Sequence, residues 1–319
     1  MMLSVLGCPV SEMLLAQWSS LFLCDAAPYF FTDDLTLPNE TLVLSRKALS
    51  ENQFDLSYTD SYAVYAVSPD AKWVAFLTPA EFDALAPATQ RSLLAAQHEL
   101  RRRQVYLWEQ VEHFLRPCIE QAESRCITVS GEKYLVLDTK IWRLLTDELR
   151  QRWLIEFITK DNRLDCLAST LSEAEWSQIE YPSIRSLAGT FAFRSGPNCF
   201  STTLAAITQQ QATAETIANF WLHQETFFQG LAQRGYRLSV GDTILNPDLQ
   251  DVVLVWQDQH GTAQHACYVI GNNLVLNKNS QSWFTPRQLL HLDTLLDDWK
   301  DEPFEIVVYR RDQETLFHT

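Results

Sequence analysis

The sequence predicts an α+β protein of two domains, and three observations carry that expectation. The chain has 319 residues, 46% of them hydrophobic and 12% aromatic, which is enough apolar side chain for sizeable cores. From about residue 190 onward, two helical patterns are followed by short β-rich runs in close succession, the order expected of helices packed on an antiparallel meander. The stretch "YPSIRSLAGT" (181–190) reads as a connection. The expected boundary therefore lies near residue 185, with an α+β domain over 1–185 and a second domain over 186–319.

The elements follow in order. The opening "MMLSVLGCPVSEMLLAQWSSLFLC" lacks a basic leader, and polar residues interrupt its apolar stretches. It reads as a folded start with a helix over 11–24, not as a signal peptide. Alternation in "YAVYAVSPDAKWVAFLTP" (62–79) predicts a hairpin turning at Ser68-Pro69-Asp70. Pro87 opens a long amphipathic helix running to about Leu115, "KYLVLD" (133–138) is a strand, and 139–160 a helix. Ser172 followed by Glu175 is a capping signature for a short helix over 170–179. Helices are expected from Cys199 and over 214–234, strands at 251–257, 265–271, 274–278 and 304–310, and a helix near 286–296.

Composition narrows the function. A net charge of −15 disfavours nucleic acid and anionic membranes as partners, because both repel a polyanion. The Arg101-Arg102-Arg103 run lies near Glu99 and Glu109 and reads as a solvated face. No apolar run is long enough for a membrane span. Seven cysteines without framework spacing fit reduced thiols, and a cytoplasmic location is the expectation. There is no glycine-rich phosphate loop, HExxH, paired CxxC or GxSxG, so no metal or organic cofactor is expected.

One stretch points to chemistry: "RSGPNCFSTTLAAIT" (194–208) leads a turn into Cys199 at a helix start. Asn198 can cap that helix, and the free N–H groups and dipole of the first turn favour a thiolate. Such a cysteine needs a base to take its proton and hold the thiolate as an ion pair. His98, His113, His223 and His291 fall in expected helices, His318 in the tail, and His260 beside Gly261 at a turn. His265 opens a strand, where period-2 alternation sets it on one face with Cys267 and Val269. Cys267 is the rival nucleophile, but it falls mid-strand. Trp256 is expected in the core.

The segment "DVVLVWQ…QHACYVIGNNLVLNKNS" resembles the strand pair of the NlpC-type papain-like cysteine peptidases, whose nucleophile stands at the start of an upstream helix as Cys199 does. The resemblance covers about residues 190–311. It implies a papain-like fold with a helix-borne cysteine packed on an antiparallel sheet. The implied site is Cys199 as nucleophile, His265 as general base and acid, and a third polar residue that orients the imidazole. Asn277 stands at the matching distance, and Asn279 is a neighbouring candidate. The oxyanion hole would use the Cys199 N–H plus a second donor, with Asn198, Ser195 and Arg194 as candidates. The implied reaction is hydrolysis of a peptide or amide substrate through a thioester. An acyltransferase on the same fold and an inactive binding protein are the alternatives, and residues 1–185 could bind a partner protein.

Overall fold

Leu6 and Gly7 take positive φ values of 53° and 71°, and there the chain reverses between β1 (Leu3–Val5) and β2 (Cys8–Val10). The computed structural model describes residues 3–33, 35–51, 54–162, 164–179, 181–239 and 249–312. All strand pairs described are antiparallel, and the protein is α+β. The chain divides into two compact units, Leu15–Phe157 on the one hand and Met1–Leu14 with Ile158–Thr319 on the other. The division falls near 157 and not at 185, because the amino-terminal hairpin and the 158–185 segment pack with the later residues. Among the described residues no helix is long and apolar enough to cross a membrane.

The Leu15–Phe157 unit holds two three-stranded sheets. One has β3 (Ala27–Phe31), β4 (Leu42–Ser45) and β5 (Trp73–Leu77), with β5 central. Only half of the expected 62–79 hairpin is therefore a strand. β5 is paired along both edges, and Val64–Ala66 forms a 3₁₀ turn entered through Ala63 at φ 44°. The second sheet has β6 (Val105–Leu107), β7 (Cys126–Val129) and β8 (Glu132–Val136), with β8 central.

The long helix expected over 87–115 breaks after Glu99, where Arg101 and Gln104 take positive φ and β6 intervenes. Arg102 is not on a solvated face. It is buried, and its guanidinium donates to the carbonyls of Pro28 and Leu137, both at 3.0 Å. The 139–160 helix is likewise two, Thr139–Leu144 and Asp147–Asp161, separated by extended Leu145. Arg125 and Asp138 form a buried ion pair at 2.6 Å in this unit.

The other unit is organised by a seven-stranded sheet. Its strands are β9 (Thr190–Phe191), β10 (Tyr236–Leu238), β11 (Val252–Gln257), β12 (Ala263–Gly271), β13 (Leu274–Asn277), β14 (Pro286–His291) and β15 (Glu305–Arg311). Their spatial order is β10-β15-β11-β12-β13-β14-β9. The helix expected at 286–296 begins only at Leu292, because 286–291 pairs with β13 and buries Leu289 and Leu290 on opposite faces. The 214–234 helix is two, Gln211–Ala218 and Gln224–Gln233, and the 181–190 connection contains the helix Pro182–Leu187. The capped helix Glu173–Ser177 forms as expected, with the Ser172–Glu175 box present.

Both faces of this sheet are apolar. Val253, Val255, Ala266 and Tyr268 share one cluster with the Cys199–Ala206 helix, and Val252, Leu254, Cys267 and Val269 share the other with Leu292 and Leu295. Alternate residues of β11 and β12 divide between the two clusters, as strand periodicity requires. Asn272 and Asn273, at φ 51° and 60°, join β12 to β13. Two consecutive left-handed residues make the tight turn whose twist suits a hairpin, and Asn tolerates them. That turn sets the register in which Tyr268 faces Leu276.

Candidate functional site

The hairpin register brings His265 and Asn277 to one face of the sheet, diagonal to each other across β12 and β13. Their side chains meet, with His265 Nε2 2.8 Å from Asn277 Oδ1. Asn277 Nδ2 in turn donates to Asn279 Oδ1 at 2.7 Å. The two bonds together orient the amide, so Oδ1 faces the ring and His265 carries its proton on Nε2. The other ring nitrogen, Nδ1, is then a lone pair, and it has no hydrogen-bond partner among the described residues. Of the two candidates for the third residue, Asn277 contacts the imidazole and Asn279 stands behind it.

The imidazole is fully buried between two indoles. Trp299 stacks on it at 4.4 Å and 15°, and Trp256 meets it edge-on at 5.0 Å. Burial pulls its pKa down to about 4, partly offset by the bond to Asn277. At neutral pH the ring is uncharged and able to accept a proton.

Cys199 is the first residue of the Cys199–Ala206 helix, whose start is fixed by reciprocal bonds between Asn198 and Ser201, both 3.0 Å. Thr203 Oγ1 donates to the Ala266 carbonyl at 3.1 Å and anchors this helix to β12. The thiol lies beside the backbone N–H of Ala266, the residue after His265, and beside those of Phe200 and Cys199 itself. Burial pushes it up to about 11, while these N–H groups and the Lys278 ammonium pull the other way. The resting pair is thus neutral thiol and neutral imidazole, with no hydrogen bond between them. The expected thiolate–imidazolium pair is absent: no hydrogen bond joins the two groups, and strand alternation sets His265 with Trp256 and Trp299 on one face of the sheet while the Cys199 helix packs on the other.

Asn198 caps the helix and donates through Nδ2 to the Leu222 carbonyl at 2.8 Å. Ser195 Oγ accepts from the Trp283 N–H at 3.1 Å, and Gly196 N–H donates to the Gln281 carbonyl at 2.9 Å. These two oxyanion candidates therefore hold the loops around Cys199. Arg194 is exposed. Cys267 is fully buried, and its thiol is pushed up by that burial.

Two participants were not legible as such. Trp299 lies far along the chain from His265. Lys278 is fully buried, with Nζ donating to the carbonyls of Ser280 (2.6 Å), Ser282 (3.0 Å) and Thr285 (2.8 Å) and to Thr285 Oγ1 (2.8 Å). Its positive charge acts electrostatically on the nearby thiol. Elsewhere in the unit, Asp251 Oδ1 accepts from the hydroxyls of Tyr181, Tyr236 and Tyr268 beside a cavity of about 410 Å³, which Cys199, His265 and Asn277 do not line. In comparisons with known proteins, no family model, no curated protein and no solved structure matches the chain.

Proposed function

We propose that Cys199, His265 and Asn277 make this protein a cysteine-dependent amide hydrolase of papain-like design. The observation that carries the reading is the oriented imidazole, with Nε2–H committed to Asn277 and Nδ1 left as a bare lone pair. The thiol stands against the next residue of the same strand. In the reaction, Cys199 Sγ attacks the carbonyl carbon while its proton passes to His265 Nδ1. The imidazolium then gives that proton to the leaving amine, and the thioester remains. Water, deprotonated by Nδ1, cleaves the thioester, releases the acid and restores the thiol. The Cys199 N–H at the helix start donates to the tetrahedral oxyanion. Because the resting pair is neutral, the proton moves with the attack and not before it. Phe193, Phe220 and Trp221 are exposed on segments adjoining the loops around Cys199, and they favour a substrate with apolar groups beside the scissile amide.

The test is labelling with peptide-like electrophiles, mapped by mass spectrometry in the wild type and in His265→Ala. We expect adducts on Cys199 that form at least about 100-fold more slowly without the base. Equal labelling of both proteins sinks the proposal. A second reading, a binding protein that retains a disused site, is favoured by the burial and neutrality of both Cys199 and His265. No labelling of Cys199 by any such electrophile would support it.

A further inference from the structure

Two other cysteines meet in the interior of the unit that contains both the amino-terminal hairpin and Ile158–Thr319. Cys8 opens β2 and is 0% exposed, and Cys166, 3% exposed, lies far along the chain. One carbonyl, that of Leu6, accepts from the Cys166 N–H at 2.8 Å and from the Cys8 thiol at 3.5 Å. Gly7 closes the approach: a Cβ there would stand 2.4 Å from the Cys166 carbonyl oxygen, so the hairpin turn lies directly on Cys166. The shared Leu6 carbonyl sets the Cys8 thiol beside Cys166.

Their surroundings are unequal. Cys166 Sγ accepts from the Leu289 N–H at 3.3 Å, and the Ala168 N–H lies beside the same sulfur. Peptide donors around one sulfur stabilise its anion much as a helix start does. The pairing with Cys8 and these N–H groups draw the Cys166 thiol below its ordinary value, and Cys8 is pushed up by the same pairing and by burial. One sulfur is suited to attack and the other to hold a proton. Neither has a part in the chemistry at Cys199.

We infer that Cys8 and Cys166 are a redox-active dithiol that closes to an intrachain disulfide under a peroxide, tying the amino-terminal hairpin covalently to the Ile158–Thr319 segment. The Cys166 thiolate attacks one peroxide oxygen, the O–O bond breaks, and hydroxide leaves, taking up the proton released by the thiol to become water. The resulting sulfenic acid is attacked by Cys8 sulfur. The S–S bond forms, the S–O bond breaks, and the Cys8 proton leaves with that oxygen as a second water. Two thiols are oxidised by two electrons and one peroxide is reduced. A peroxide is small enough to reach buried sulfur through local opening. The bond closes a very long loop, so its main effect is on the unfolded chain.

The test treats the reduced full-length protein with hydrogen peroxide, blocks remaining thiols and maps a non-reducing digest by mass spectrometry. A parallel sample is refolded in a glutathione redox buffer, where burial is no obstacle. The inference expects a Cys8–Cys166 linked peptide in both samples. It should disappear with dithiothreitol, and the oxidised protein should show a Tm higher by on the order of 10 °C. Cys8→Ser and Cys166→Ala should each abolish the linked peptide and the Tm difference, so failure of one variant to fold leaves the other to decide. The inference is overturned if the peroxide-treated protein yields both cysteines as separate blocked thiols or separate sulfinic acids. Linkage of other cysteines, such as Cys199 with Cys267, overturns it equally, as does a bond that forms on refolding but never with peroxide.

Discussion

His265 should make the sheet of the Ile158–Thr319 unit sensitive to mild acid. Its ordinary pKa is 6.5, and burial between Trp256 and Trp299 lowers it to about 4. Between those values the unfolded chain binds a proton that the folded chain refuses, so stability falls as pH falls. The full effect is about 3 kcal/mol from the size of the shift, and about 2.5 kcal/mol of it is lost by about pH 4.5. His265→Gln removes the titration while keeping an N–H for Asn277. The assay is hydrogen exchange under native conditions, resolved to peptides covering 252–277, at about pH 7 and pH 4.5. After correction for intrinsic exchange, the wild type should lose about 2.5 kcal/mol more protection than the variant on acidification. Equal losses in the two proteins would refute the reasoning, since His265 would then not be a buried neutral base.

Other perturbations follow from the same geometry. Asn198→Ala removes the helix cap and the tie to Leu222, and should lower stability by roughly 1–2 kcal/mol in urea unfolding. Gly7→Ala combines φ 71° with a backbone clash at Cys166, and a loss of about 3 kcal/mol in the same assay is expected. Lys278→Met leaves three carbonyls without their cation and removes the positive charge near Cys199. The thiol pKa should rise further, read as slower alkylation of Cys199 at alkaline pH. Asp138→Ala removes the fully buried partner of Arg125, leaving it Asp83 alone, and should cost about 2–3 kcal/mol in the Leu15–Phe157 unit, seen as a lowered transition in calorimetry.

The hairpin carrying His265 and Asn277 was legible because its signals are local: short apolar runs rich in β-branched and aromatic residues in 252–257 and 263–271, then two Asn at the turn. The same logic misread 286–291, where Pro-Arg-Gln-Leu-Leu lacks alternation and only the pairing with β13 makes a strand. Arg102 and Lys278 look like surface charges in sequence, because nothing local shows the carbonyls that receive them. The state of Cys199 was misjudged for a related reason. A helix start is visible in a sequence, but the burial that overrides it is not. The boundary near 185 failed because a contact such as Leu6 with Cys166 has no trace in composition.

The placement of residues 1–14 with 158–319 has a consequence for synthesis. A ribosome delivers the β1–β2 hairpin first, then all of Leu15–Phe157, before any strand of the seven-stranded sheet exists. At about 5–20 residues per second, that interval is roughly 7–30 s. The nascent hairpin must wait unpartnered while the intervening unit folds, with Cys8 exposed to solvent throughout. A shortened gene starting near residue 158 would lack the hairpin altogether, and an expression product of that kind would test how much the sheet depends on its first few residues.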